Sequence, residues 1–204
     1  MSRLLGTWQA ILGSLRPSRA HVRPPRKARR RPSPHCLALE QLEDRLVLTT
    51  YTVTTLADGV AGSLRDAITQ ANAHHGTDKI NFQPGLAGTI SLTGGELGIT
   101  DDLTITGPGA GRLTVSGNGT SRVFTVGAGE KVAISGLTIA NGKAGGGDGG
   151  GLINFGTVTV NNCAFTSNSA SEGGGLANES GGRADVSGST FTSNSASLVP
   201  QRYA

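Results

Sequence analysis

The chain has 204 residues, 32 of them glycine, with only 4% aromatic content and a formal charge of +4. Its charge is uneven: the first 50 residues hold 10 of the 18 basic side chains with Glu40, Glu43 and Asp44 as the only acids, and the remainder is mildly acidic. This excludes a nucleic-acid role for the body, which has neither a basic stripe nor aromatics to stack bases, and the lone Cys36 and Cys163 exclude a disulfide or a metal-binding cysteine pair within it.

Residues 1–50 read as a basic, largely disordered leader, densest in charge across Arg23–Pro32, and as an export or membrane-surface address. The apolar stretch from Leu4 to Leu15 is broken by Gly6, Gln9, Gly13 and Ser14 and is too short to cross a bilayer; no other segment reads as a span. Leu39, Leu42 and Leu46 have helical spacing, so a short amphipathic helix is expected within 37–48. The run Leu39-Glu40-Gln41-Leu42-Glu43-Asp44-Arg45 resembles the LEPLEDR-type leader of large surface proteins from planctomycete-type bacteria, with Gln41 at the usual proline. That resemblance implies export and a mature body beginning near Tyr51.

Residues 51–78 read as an N-terminal cap, a strand followed by a helix over 63–75. Ser63 is the N-cap with Asp66 three residues on; Leu64, Ala67, Ile68 and Ala71 share one apolar face, and Gly76 is the expected stop. Arg65 and the His74-His75 pair read as solvated surface. Gly62-Ser63-Leu64-Arg65-Asp66-Ala67-Ile68 resembles the CSLREAI signature at the head of bacterial right-handed β-helix surface proteins, with Gly62 in place of cysteine and Asp66 in place of glutamate.

From residue 79 to 197, strands of three to five residues alternate with Gly, Asn, Ser and Asp turns. Val160–Ala170 returns as Val186–Ala196, 26 residues later, and the glycine runs at Gly149 and Gly173 are 24 apart. Such a period belongs to a solenoid, in which each copy buries its apolar face only against its neighbours. The fold class expected is all-β: a right-handed parallel β-helix of roughly four to five coils over 80–197. Four columns follow at the 26-residue step: Val132, Val158 and Ala184; Ile134, Val160 and Val186; Leu137, Cys163 and Ser189; Ile139, Phe165 and Phe191. Cys163 then points inward and is inert, Phe165 stacks on Phe191, and Asn168 over Asn194 and Asn154 over Asn178 form amide ladders at turns.

Gly150-Gly151-Leu152-Ile153 with Phe165-Thr166-Ser167-Asn168, followed by Gly174-Gly175-Leu176-Ala177 with Phe191-Thr192-Ser193-Asn194, is similar to the GGxI…FxxN repeat of polymorphic outer membrane proteins. The resemblance implies a β-helical passenger at a bacterial cell surface, extracellular or outer-membrane bound, used in adhesion.

The body's acids are scattered, and Asp101-Asp102, the one adjacent pair, points to opposite sides of a strand or lies in a solvated turn. Asp148 and Glu172 precede the two glycine runs and are expected on consecutive coils at one corner, a candidate Ca²⁺ site with exposed loop acids as the plainer alternative. No catalytic residue and no other cofactor is assigned. The expectation is an exported, non-catalytic structural or adhesive module that contacts glycan or protein; a polysaccharide lyase or glycoside hydrolase on the same fold is the alternative. Residues 198–204 break the repeat without a capping helix, so the chain is expected to be a shortened member of a larger family or to self-associate through an open C-terminal coil.

Overall fold

The computed structural model describes residues 48–197. The leader as far as residue 47, the amphipathic helix expected within 37–48 and the 198–204 tail lie outside the described residues.

Strand β1 (Thr50–Val53) and helix α1 (Leu64–Ala73) come first. Two turns of three strands follow: β2 (Asp78–Phe82), β3 (Gly88–Ser91) and β4 (Leu97–Ile99), then β5 (Leu103–Thr106), β6 (Leu113–Ser116) and β7 (Phe124–Val126). Next come β8 (Lys131–Ser135), β9 (Thr138–Ala140) and β10 (Leu152–Asn154), then β11 (Thr157–Asn161), β12 (Ala164–Thr166), β13 (Ser169–Ala170) and β14 (Leu176–Asn178). The last strands are β15 (Arg183–Ser187), β16 (Thr190–Thr192) and β17 (Ser195–Ala196).

Every pairing among these strands is parallel and joins successive turns. The first sheet runs β1-β2-β5-β8-β11-β15, the second β3-β6-β9-β12-β16, the third β4-β7-β10-β14, and β13 pairs with β17. The chain is therefore a parallel β-solenoid of about six turns with one short helix. Strands this short hold only because each hydrogen-bonds to the turn on either side, while alternate side chains bury inward.

The expected columns are present. Val132, Val158 and Ala184 align, as do Ile134, Val160 and Val186, and Ile139, Phe165 and Phe191. The Phe165 and Phe191 rings stack with centroids 4.6 Å apart and planes 3° from parallel. The glycine-run strands step by 24 instead, with Leu152 opposite Leu176. The next corner restores the register: Glu179–Gly182 stands where the preceding turn has only Phe155 and Gly156, and Arg183 N–H still reaches the Gly156 carbonyl at 2.8 Å.

Two bends repeat with the period. Gly136, Asn162 and Gly188 have φ of 63°, 52° and 55° where the chain leaves the first sheet, and Asn141, Ser167 and Ser193 have 51°, 56° and 56° after the second. Left-handed backbone disfavours any residue with a Cβ, Asn least among them, so the first bend alternates between the two cheapest residues.

Helix α1 starts as expected. Ser63 (φ −79°, ψ 166°) accepts the Asp66 N–H at 3.1 Å, and the Asp66 carboxylate accepts the Gly62 N–H at 2.8 Å. Its end is different. His74, extended at φ −112° and ψ 105°, closes the helix by donating its N–H to the Ala71 carbonyl, and Gly76 (φ 124°) comes two residues too late to be the cap. Leu64, Ala67, Ile68 and Ala71 are buried and merge with the solenoid core, the helix lying against β1, β2 and β4.

Arg65 and His74 are not simply solvated. Arg65 Nε sits 2.8 Å from an oxygen of Asp58, and the same guanidinium donates to the carbonyls of Gly95 (2.6 Å) and Glu96 (3.0 Å). It thereby ties the helix to the corner before β4. His74 Nδ1 lies 3.2 Å from the buried Asp78 carboxylate, which also accepts the Thr49 N–H at 3.0 Å; His75 is 96% exposed, as expected.

Asp58 is the acid-sensitive point of this end. Its side chain is 2% exposed, and burial by itself raises its pKa. Hydrogen bonds from Arg65 and from the Gly94 and Thr93 amides, with the charge of Arg65, outweigh that and hold the carboxyl at about 2 rather than 3.8. A depressed native pKa stabilises the fold above the unfolded value and stops doing so as pH falls through the native one. We expect about 2 kcal/mol of stability to vanish between pH 4 and pH 2. Urea unfolding of Asp58→Asn should show that decrement removed; parallel pH curves for the two proteins would contradict the assignment.

Candidate functional site

The outer face of the first sheet carries a column of small polar side chains beside a mixed column in which threonine recurs. One runs Thr52, Asn81, Thr106, Ser135, Asn161, Ser187 across all six strands. The other runs Thr50, Lys79, Thr104, Ala133, Thr159, Asp185. Neighbouring strands lie about 4.8 Å apart, so the face repeats its hydroxyls and amides at that interval along the solenoid. Inward partners Ile80, Ile105, Ile134 and Val160 are buried, which fixes the outward orientation of the columns.

At one edge of this face lies a shallow trough lined by Thr77, Asp102, Thr104, Lys131, Val132, Ala133, Thr157 and Thr159. Asp102 shapes it by accepting the Lys131 N–H at 2.7 Å, while Asp101 accepts the Asp102 N–H at 2.7 Å. The Asp101-Asp102 pair is thus committed to a corner. Glu130 beside it has a raised pKa, first from partial burial and then from the two aspartates.

Asp148 and Glu172 do meet at one corner. Glu172 N–H donates to Asp148 Oδ1 at 3.0 Å, and Gly149 N–H donates to the Glu172 carbonyl at 3.0 Å. Asp148 therefore spends one carboxylate oxygen on the turn above it, and Arg122 clasps its backbone carbonyl at 2.8 Å. No group of three or more His, Cys, Asp and Glu side chains that could hold a metal ion exists among the described residues.

The ladder residues are in place. Asn168, fully buried, donates from Nδ2 to the Ile139 carbonyl and to Asn194 Oδ1, both at 2.9 Å, and accepts the Gly142 N–H at 2.8 Å. Asn154 is also fully buried and donates to Asn178 Oδ1 at 2.7 Å. Cys163 is 2% exposed and points inward; burial pushes its thiol pKa up, the opposite of what a nucleophile needs.

The sequence predicts long faces lined by Thr, Ser and Asn; what it does not reveal is which residues align into the column. Its members are spaced 29, 25, 29, 26 and 26 residues apart, so no fixed period reveals it.

No family model, no curated protein and no solved structure matches this chain. Among the described residues, no helix is long and apolar enough to cross a membrane.

Proposed function

We propose that the chain is an exported, surface-displayed structural or adhesive module that binds through the outer face of its first sheet and performs no catalysis. The observation that carries this reading is the six-strand column Thr52–Asn81–Thr106–Ser135–Asn161–Ser187 with its Thr-rich neighbour, a rigid repeat of hydrogen-bonding groups. Such a surface suits a partner that also repeats, above all an extended glycan, because many weak polar contacts add along a preorganised lattice. The carboxylates Asp58, Asp66, Asp102 and Asp148 each accept a backbone or arginine hydrogen bond, which supports structural roles for them. The leader's resemblance to export sequences supports surface display.

The test is binding of the chain to a panel of purified polysaccharides, scored alongside release of unsaturated or reducing ends with and without calcium. Retention without cleavage is expected, and Thr106→Ala, Ser135→Ala and Thr159→Ala combined should weaken it about tenfold or more. Cleavage of a polyuronate would transfer the chain to the lyase or hydrolase alternative. Unchanged retention by the triple variant would remove the face from the site.

A further inference from the structure

Ala133 interrupts the polar surface of the first sheet at one point. Its strand, β8, is the fourth of six and turns Lys131, Ala133 and Ser135 outward, while Val132 and Ile134 are buried. Beside Ala133 on the two flanking strands stand Thr104 of β5 and Thr159 of β11. In the column Thr50, Lys79, Thr104, Ala133, Thr159, Asp185, only Ala133 has no polar atom in its side chain. The shallow trough lies at this same place, with Thr104, Lys131, Ala133 and Thr159 in its lining. The two threonines are two strand spacings apart, about 10 Å, and Lys131 and Ser135 stand about 7 Å from Ala133 along the strand. The result is a methyl floor inside a rim of hydroxyls and one ammonium. An apolar floor with a few polar groups around it is the form of a small-molecule seat.

We propose that Ala133 seats one pyranose ring of a neutral polysaccharide, the ring's C–H face on the methyl and its hydroxyls bonded to Thr104 and Thr159. The seat presupposes that the first sheet binds glycan, as proposed for that face, and it selects the class of glycan. A sugar ring has an apolar face that gains from a methyl floor and a polar edge that needs the rim. The charges nearby give an anion no reward. Lys131 and Lys79, the neighbour of Thr104, are set against Asp101, Asp102 and Glu130, and Arg183 is already paired with Asp185 at 3.0 Å. Glu130 reports the balance: partial burial first, then the two aspartates, raise its pKa.

Retention of the full chain on immobilised hydroxyethyl cellulose, galactomannan and polygalacturonate tests this. Retention on at least one of the two neutral glycans is expected. Ala133→Val and Ala133→Ile fill the floor by increasing amounts and should weaken it in that order, the second about tenfold or more. Ala133→Ser is nearly the size of the parent and should hold it within about twofold. Branched side chains suit a strand flanked by threonines, so denaturant unfolding should find both filling variants at least as stable as the parent. Whatever polygalacturonate the arginine-rich leader holds should be held equally by Ala133→Ile. Retention on a neutral glycan that neither filling variant diminishes overturns the seat and leaves the face as a glycan-binding surface. Retention on polygalacturonate that Ala133→Ile abolishes overturns the neutral class. Failure to bind either neutral glycan overturns the seat, and failure on all three overturns the reading of the face with it.

Discussion

Replacing Asn168 with alanine should lower the unfolding free energy by about 3–5 kcal/mol, the first of two large losses expected from substitutions between turns. The side chain is fully buried and ties three successive turns together. It accepts from Gly142 one turn below, donates to the Ile139 carbonyl, and donates to Asn194 one turn above. Alanine strands the Gly142 N–H where no water reaches easily, at about 1–3 kcal/mol, and removes the second bond on the Ile139 carbonyl and the link to Asn194, each worth about 1 kcal/mol. Asn194→Ala removes its bond to the Phe165 carbonyl and the bonds it accepts from the Asn168 N–H and Nδ2, but on the partly exposed last turn, where solvent can substitute, and should cost less, about 2 kcal/mol. Denaturant unfolding followed by circular dichroism at constant slope measures both. If Asn168→Ala costs no more than Asn194→Ala, the ladder is not holding the turns.

Gly150→Ala is the second. A Cβ on Gly150 would run into the Ser169 carbonyl oxygen and stand 2.7 Å from both the Gly174 oxygen and the Ser169 nitrogen. All three are backbone atoms, and the Gly174 oxygen is one turn away. Relief therefore requires pushing whole turns apart and stretching the ladder hydrogen bonds. We expect a loss above about 4 kcal/mol, or failure to fold. Gly98→Ala in β4 is the control: its Cβ would meet nothing within 4 Å, and its φ is not in the left-handed region. That variant should be neutral or more stable by up to about 1 kcal/mol, through reduced freedom of the unfolded chain. Equal stability of the two alanine variants would show that the turns do not approach as closely as described.

Much of the solenoid was legible because two copies preserve their side chains at one spacing. Phe165 and Phe191, Val160 and Val186, and Asn168 and Asn194 all align as the 26-residue lag requires. Other parts were hidden for identifiable reasons. Strand β4 is Leu97-Gly98-Ile99, and a glycine at its centre among turn residues hides the alternation. Strands β10 and β14 sit directly after glycine runs that read as turns, although those glycines serve close backbone packing between turns. The Glu179–Gly182 insertion explains why one lag is 24 and the other 26, and only the paired register exposes it. Arg65 looked like surface because its partner Asp58 and its acceptors at Gly95 and Glu96 are far away in sequence. The candidate binding face was legible only as a polar tendency. Its columns cross turns of unequal length, so Thr52, Asn81 and Thr106 become neighbours only once the loops between them have closed.

The most direct measurement is an NMR nuclear Overhauser map of the isotopically labelled chain. The stacked-turn account predicts through-space contacts linking Ile134 to Val160 and Val160 to Val186 in parallel register, together with ring-to-ring contact between Phe165 and Phe191. Contacts confined within each 26-residue copy, or antiparallel pairing of Thr157–Asn161 with either neighbour, would contradict it.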